Sequence, residues 1–414
     1  MPKESLRGTS VLISGASVAG PALAYWLSRY GAHVTVVEQA PELRTGGQII
    51  DVRGVGREVA RRMGLLEEMR AARTPTDGLR LVDDRNAAQA FIPVEGFHGD
   101  GPIAEIEIGR GSLSKVIYRA TADDVEYLFG DRIAVLDDSD EGVRVQFDHA
   151  EPRTFDAVIG ADGLHSATRK KLFGPERAFL RHLGSYIAWW TVPNDLQLHD
   201  VAHLYGEPGR SLVVRSAEGN TRALAAFTFN ESPLDYDYRD TELTKNIVRS
   251  RIADMGWEAS RIARHIDETP DFYFDSFSQV VLGSWSKGRV GLVGDAAYCA
   301  SPLSGHGATI SLVGAYVLAG ELARCGGDVA AGLASYERVL RPWITTVQEL
   351  GRNEGARMMT PATPFGVAAR TRLVQLFGYL PSRMRPLLVR PQLRVSNGFR
   401  LPDYSDARLL PARH

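Results

Sequence analysis

Two glycine-bearing segments, far apart in the chain, constrain its fold more than any other feature. Past residue 290, Val290-Gly291-Leu292-Val293-Gly294-Asp295-Ala296-Ala297 leads into Ser301-Pro302-Leu303-Ser304-Gly305-His306-Gly307-Ala308. An apolar strand passes to an acid, then to a Gly-rich turn that opens a helix of small residues. Such a helix start offers free N–H groups and a positive dipole end to an anion. Near the N-terminus, Thr9 to Ser14 reads as a buried strand and Gly15-Ala16-Ser17-Val18-Ala19-Gly20 as a turn into a helix reaching about Tyr30. His33 to Val37 is a second strand. Glu38 closes it about 20 residues beyond the glycines, where an acid meets a ribose hydroxyl in a βαβ nucleotide site. The simplest reading is one dinucleotide gripped from both ends of the chain, which forces those ends into one body.

Ser17 stands where the middle glycine is usual. It is small enough for a pyrophosphate to approach, and its hydroxyl can add a hydrogen bond. Glu38 favours an unphosphorylated adenosine ribose, so FAD or NAD rather than NADP. The 414 residues suffice for a large core and two domains, with 44% hydrophobic and 24% charged residues as in ordinary globular proteins. A net charge of −2 gives no electrostatic reason to expect nucleic acid or an anionic membrane. Cys299 and Cys325 are the only cysteines, too few for a disulfide framework or a Cys-rich metal site, and no metal is expected. Met1-Pro2-Lys3-Glu4-Ser5 lacks the apolar stretch of a signal peptide and no run approaches a membrane span, so a cytoplasmic protein is expected.

A third segment, Asp156-Ala157-Val158-Ile159-Gly160-Ala161-Asp162-Gly163, is an apolar strand ending in Asp-Gly, and Ser166 reads as the N-cap of the helix after it. The Gly-rich βαβ start, the Asp-Gly segment with its following Ser166 and Arg169, and the late Gly-Asp-Ala-Ala segment occur in this order. Together they resemble class A flavin-dependent monooxygenases of the para-hydroxybenzoate hydroxylase type, with most similarity to tetracycline-inactivating and polyketide-tailoring members. The resemblance covers about residues 1–350.

It implies non-covalent FAD held by Gly15, Ser17, Val18, Ala19, Gly20, Glu38, Gln39, Asp162, Gly163, Gly294, Gly305, Gly307 and Ala308. Arg44 and Asp51 lie in a segment, Arg44-Thr45-Gly46-Gly47-Gln48-Ile49-Ile50-Asp51, that resembles the family's flavin-proximal stretch. Arg110 matches the arginine of its Arg-x-x-Leu helix start, beside the pyrophosphate and ribityl chain. Asp295 matches the aspartate that accepts from ribityl hydroxyls, as an acceptor-only carboxylate suits. Pro302, Gly305, His306 and Gly307 fall near the flavin ring, with an outward, solvated His306 the plainer reading of that residue. Cys299 reads as a packing residue, since nothing nearby suggests an activated thiolate. Tyr336-Glu337-Arg338 and Arg341-Pro342 match a structural stretch.

The expected architecture is α/β: a Rossmann-like FAD-binding domain (1–75, 101–174 and 286–347), an inserted antiparallel β-sheet substrate domain (76–100 and 175–285), and a C-terminal helical segment (348–414). Ser185–Val192, Ser211–Arg215 and Arg222–Phe229 read as strands rich in β-branched and aromatic residues. Trp189, Tyr205, Phe227 and Phe229 are candidates to line a substrate chamber, sheet core being the ordinary place for any one of them. The arginines at 370, 372, 383, 385, 390, 394 and 400 read as a solvated surface, and Thr345–Met359 as a helix capping the chamber.

The chemistry implied is reduction of the flavin by NADPH or NADH, then O2 uptake to a C4a-hydroperoxide. That species hydroxylates an aromatic or polyketide-like molecule or inserts oxygen beside a ketone, in a monomer or weak homodimer. No protein nucleophile is needed, and no HExxH or Gly-x-Ser-x-Gly pattern occurs. Two other readings stay open: a non-redox FAD-containing cyclase or binding scaffold, and a flavin-dependent halogenase. The latter's Trp-x-Trp-x-Ile-Pro segment does not occur here.

Overall fold

The computed structural model of the chain describes residues 6–44, 46–95, 97, 99–352, 359–381 and 384–405. Its first body is built on a six-stranded sheet. Ser10–Ser14 pairs in parallel with His33–Glu38 on one side and Ala157–Gly160 on the other. Glu126–Phe129 extends one edge; Val290–Leu292 and the antiparallel Ser286–Lys287 extend the other. Strands buried on both faces carry near-continuous apolar runs, and Val11, Leu12 and Ile13 are fully buried. The strands beginning near 10, 157 and 290 therefore run side by side and end together, as a site fed from both ends of the chain requires.

Helix Ala19–Arg29 follows the first strand, and Gly20 lets it in, since a Cβ there would overlap the Gly15 carbonyl oxygen. Against it packs Gly307–Arg324, buried along almost its whole length. The 22-residue helix Val329–Leu350 lies over that one. A three-stranded antiparallel sheet, Ile133–Ser139, Gly142–Phe147 and Arg153–Phe155, packs Val143, Val145 and Phe155 against Leu12, Val37 and Val158. Among the described residues no helix is long and apolar enough to cross a membrane.

The second body is a seven-stranded sheet in the order Tyr273–Val280, Leu180–Pro193, Arg222–Asn230, Arg210–Ala217, Val201–Glu207, Gly78–Val82, Ala88–Pro93. It is antiparallel except that Gly78–Val82 runs parallel to Val201–Glu207, which corrects the expectation of a wholly antiparallel sheet. A parallel pair needs a long crossover, and the chain provides it by passing through the first body between these strands.

Residues directly opposite one another across strands share a face. One face carries Trp190, Leu212 and Phe227, covered by Val248, Ile252 and Ile262 of helices Thr241–Ile252 and Ala259–Ala263. On the other face Trp189 lies opposite Tyr273 and Ala226, with Val213 and Leu204 in the same row. The first body closes over one end of this face. At the far end, Val374 of helix Pro364–Tyr379 packs on Leu81 and Leu204.

The tail departs from expectation. Residues from Thr345 to Leu350 complete the long helix Val329–Leu350, whose Ile344 and Val347 join the first body's core. Residues 353–358 lie outside the described residues. The helix covering the sheet starts at Pro364, because proline is tolerated in a helix's first turn. Arg372, Arg390, Arg394 and Arg400 are exposed and Arg385 half-buried. Arg370, by contrast, is only 7% exposed, with a guanidinium N–H donating to the Met359 carbonyl at 3.0 Å. Arg383 lies outside the described residues.

Candidate functional site

Where the three strands of the first body end, their turns meet. A Cβ on Gly294 would come within 2.9 Å of the Ala19 Cβ, so the starts of helices Ala19–Arg29 and Asp295–Tyr298 touch. Neither start is capped by a side chain, and nor is helix Gly307–Arg324 at His306; their first-turn N–H groups face the site without a side-chain acceptor. Glu38 stands at the end of its strand with one carboxylate oxygen on the Ala16 N–H and the other on the Ala40 N–H, both at 2.9 Å. Val18 and Ala19 are buried, Ser17 is half-buried and Gln39 exposed.

Arg110 opens helix Arg110–Arg119, as the sequence predicts. Its guanidinium lies over Gly47, 3.0 Å from where a Cβ would stand. Burial weakens its hold on its proton; Tyr273, Asp295 and Glu38 oppose that, while the exposed Arg44 reinforces it. Among the described residues Arg110 makes no ion pair. Asp295 meets the Cys299 thiol, and burial raises its pKa against the fields of Arg110 and Arg169. Nearby, Gln48 Oε1 and Ser301 Oγ are buried without a hydrogen-bond partner among the described residues.

The late Gly-rich turn is braced from two sides. The buried Arg53 donates through Nε to the Gly305 carbonyl at 3.0 Å and through an Nη to Asp51 at 2.7 Å. His306, read either as a group near the flavin ring or as an outward, solvated side chain, is 0% exposed, which removes the second reading. Its Nδ1 lies 2.5 Å from the Ser304 carbonyl oxygen and its Nε2 2.9 Å from Ser396 Oγ. Burial and Arg53 push its pKa down to about 4, so the ring is neutral. Pro302 is exposed and Ala308 buried. Gly307 leaves open space, because a Cβ there would meet no atom within 4 Å.

In the middle segment Ser166 caps its helix as expected, accepting from the Arg169 N–H. The Asp162 carboxylate accepts from Ser166 Oγ at 2.5 Å and from Thr168 N at 2.8 Å, so it shapes its own turn. Gly163 beside it has φ +80 and a Cβ direction with nothing within 4 Å. Arg169 is fully buried and donates to the Ala296 carbonyl at 3.0 Å, tying this turn to the late one.

Of the chamber candidates, only Trp189 faces the first body's side of the sheet, half-buried beside Tyr273. Phe227 and Phe229 are corrected: both belong to the core under the covering helices, 0% and 1% exposed. Tyr205 also packs against that core, with its ring 5.8 Å from Trp257. Strand alternation puts them on the opposite face from Trp189.

Sequence reasoning named Asp51 but missed the charged groups paired around it and around His165. Asp51 and Glu107 are cross-strand neighbours, and each has its own arginine: Arg53 on Asp51, and Arg215 of the second sheet on Glu107 at 2.5 Å. Burial raises the Glu107 pKa to about 7 against the pull of Arg215. His165 bridges Glu176 and Asp275. Position two after Asp51 was a usable signal for Arg53; the other pairings join distant segments and leave none.

A family model described as an FAD binding domain matches residues 8–349. An uncharacterised protein of Mycobacterium tuberculosis (strain ATCC 25618 / H37Rv) is 46% identical over 343 residues, 82% of this chain and 92% of that protein. A flavin-dependent monooxygenase of Legionella longbeachae serogroup 1 (strain NSW150) is 35% identical over 404 residues, 97% of this chain and 100% of that one. The crystal structure of tetracycline destructase Tet(51) superposes with a TM-score of 0.82 at 32% identity, covering 96% of this chain and 100% of the other. With the matched family model spanning the cradle and full-length relatives at this identity, the chain belongs to the FAD-binding-domain family of flavin-dependent monooxygenases and is an FAD-dependent enzyme of that kind.

Proposed function

We propose that this monooxygenase draws electrons from NADPH or NADH and uses O2 to hydroxylate, or to oxidise in the Baeyer–Villiger sense, an aromatic or polyketide-like small molecule. The observation that carries this reading is the apolar row Trp189–Ala226–Val213 on the sheet face shared with Tyr273, whose hydroxyl feels Arg110 of the cradle. A neighbour named for destroying tetracycline, a polycyclic aromatic molecule, supports that substrate class. We take 1–75, 101–174 and 286–347 as the FAD-binding unit, 76–100 with 175–285 as the substrate unit, and 348–414 as a helical tail.

The residues fit the cofactor. An arginine mostly buried and without an ion pair among the described residues, and helix starts without side-chain caps, suit a pyrophosphate. The Asp295 carboxylate and orphaned Gln48 Oε1 suit hydroxyl donors. Gly15, Ser17, Val18, Ala19, Gly20 and Arg110 would hold the pyrophosphate, and Glu38 and Gln39 the adenosine ribose. Asp295 and Gly294 would hold the ribityl chain, with Asp162, Gly163, Arg44 and Asp51 around it. Pro302, Gly305, Gly307 and Ala308 would meet the ring. Bound FAD supplies the redox chemistry that these side chains lack, accepting hydride and passing electrons to O2. The protein's part is to orient the substrate over the cradle and exclude water from it. Arg53 holds the Gly305 turn in place through its carbonyl. His306, neutral and engaged at both nitrogens, braces the turn to Ser396 and is not an acid–base group.

The test is anaerobic mixing of FAD-loaded protein with NADPH, then NADH, while following flavin absorbance. Bleaching that an aromatic ligand accelerates is the expected result. Persistent colour with both donors and with candidate substrates would refute nicotinamide-driven oxygenation and favour the non-redox scaffold.

A further inference from the structure

A continuous run of hydrogen bonds leads from solvent to Tyr273, beside the cradle, through residues that cofactor binding leaves without a role. Tyr273 Oη donates to Asp275 Oδ2 at 3.0 Å. The same carboxylate oxygen lies 2.9 Å from His165 Nε2, and His165 Nδ1 lies 2.9 Å from Glu176 Oε1. The Glu176 side chain is 29% exposed, while the half-buried Tyr273 feels Arg110 at the cradle. The run crosses between the two bodies, from the turn after Ala157–Gly160 to the edge strand of the second sheet.

Groups of both signs surround His165, and its two carboxylate partners decide its charge. Tyr238, from the loop before helix Thr241–Ile252, stacks on it at 3.8 Å, and the Arg239 guanidinium lies 5.3 Å from the centre of the Tyr238 ring. Arg169 holds the second Glu176 oxygen at 3.1 Å, and burial with the fields of Asp275 and Glu176 raises the Tyr236 pKa and keeps that hydroxyl neutral. Burial alone would strip the proton, but Asp275 and Glu176 outweigh it and push the pKa up to about 9. Both ring nitrogens are then donors, each with a carboxylate acceptor.

The proposed reaction consumes a proton: S–H + NAD(P)H + H+ + O2 gives S–OH + NAD(P)+ + H2O. One oxygen atom enters the C–H bond; the other leaves as water, built from the hydride's hydrogen and one proton from solvent. We propose that Glu176, His165, Asp275 and Tyr273 form the route by which that proton reaches the oxygenation site. Imidazolium Nε2 gives its proton to Asp275, and Asp275 passes it to the Tyr273 oxygen as Tyr273 releases its own inward. The neutral ring keeps its Nδ1–H on Glu176, and its bare Nε2 takes a proton from water as the partly exposed side chain swings away from Asp275, which restores the imidazolium.

This inference rests on the oxygenation chemistry proposed above, and two measurements separate their fates. In the FAD-free protein, 15N-histidine NMR should show His165 protonated at both nitrogens to about pH 9, falling toward 6.5 in Asp275→Asn; titration near 6.5 in the wild type would overturn the route. In the FAD-loaded enzyme, His165→Ala should turn over about 100-fold slower. Added imidazoles should restore it in proportion to their protonated fraction. His165→Gln keeps hydrogen-bonding groups but carries no proton, and should stay slow. A folded His165→Gln enzyme at the wild-type rate, or a folded His165→Ala that imidazole does not rescue, would sink the route while flavin bleaching by NAD(P)H left the oxygenase reading standing.

Discussion

Replacing Gly307 with alanine separates the empty part of the cradle from the packing of the protein. Gly307 is the first residue of helix Gly307–Arg324, a Cβ there meets no atom within 4 Å, and its φ is not positive. In the protein alone the methyl enters open space. Alanine's lower unfolded-state entropy then stabilises the fold by about 0.5–1 kcal/mol, a rise of about 1–3 °C in Tm for a chain of this size. If the flavin ring packs on this turn, the same methyl overpacks the bound state by about 1–3 kcal/mol, which is roughly 5- to 150-fold weaker FAD binding. Titrating stripped protein with FAD by fluorescence quenching, beside thermal melts of the FAD-free protein, reads both effects. Unchanged Tm with undiminished FAD affinity would refute the placement of the ring at this turn. Gly20→Ala makes no such test, because its Cβ would overlap the Gly15 carbonyl and cost fold and cofactor together.

Asp295→Ala should weaken FAD roughly 10- to 100-fold, since hydrogen bonds to a charged acceptor are worth about 1.5–3 kcal/mol; calorimetry showing equal affinity would count against the ribityl assignment. Phe227→Ala should cost about 3–5 kcal/mol of stability with little change in substrate KM. Trp189→Ala should do the reverse, raising KM several-fold with a small loss in Tm, and the opposite pattern would mean the faces are misassigned. The His306 pKa of about 4 in the fold against about 6.5 unfolded means the unfolded chain protonates first. Its contribution is intact above pH 6.5 and falls by about 3 kcal/mol as pH drops to 4. Urea denaturation of wild type and His306→Gln across that range should show the difference; parallel curves would remove the buried neutral imidazole.

The sequence by itself determined the first body and most of the cradle. A strand, a tight turn and a helix start are local events, so Gly15 to Gly20, the Asp162-Gly163 turn, the helix opened by Arg110, and Asp295 were legible as motifs. Their joining was implied as well, because both ends of the chain offer anion-binding turns that complete each other. Only the tertiary structure decided which side of the second sheet lies toward the first body. Alternation says that Trp189 and Trp190 point opposite ways, but both faces are apolar and both are covered, so no polar pattern marks the outside. That is why Phe227, Phe229 and Tyr205 read as well as Trp189. The burial of His306 was equally hidden, since its partner Ser396 arrives from the tail. The run from Glu176 to Tyr273 exists only where two bodies meet. Charged groups like these are stable in the interior only when paired, and the partners that pair them come from chain segments that no local pattern connects.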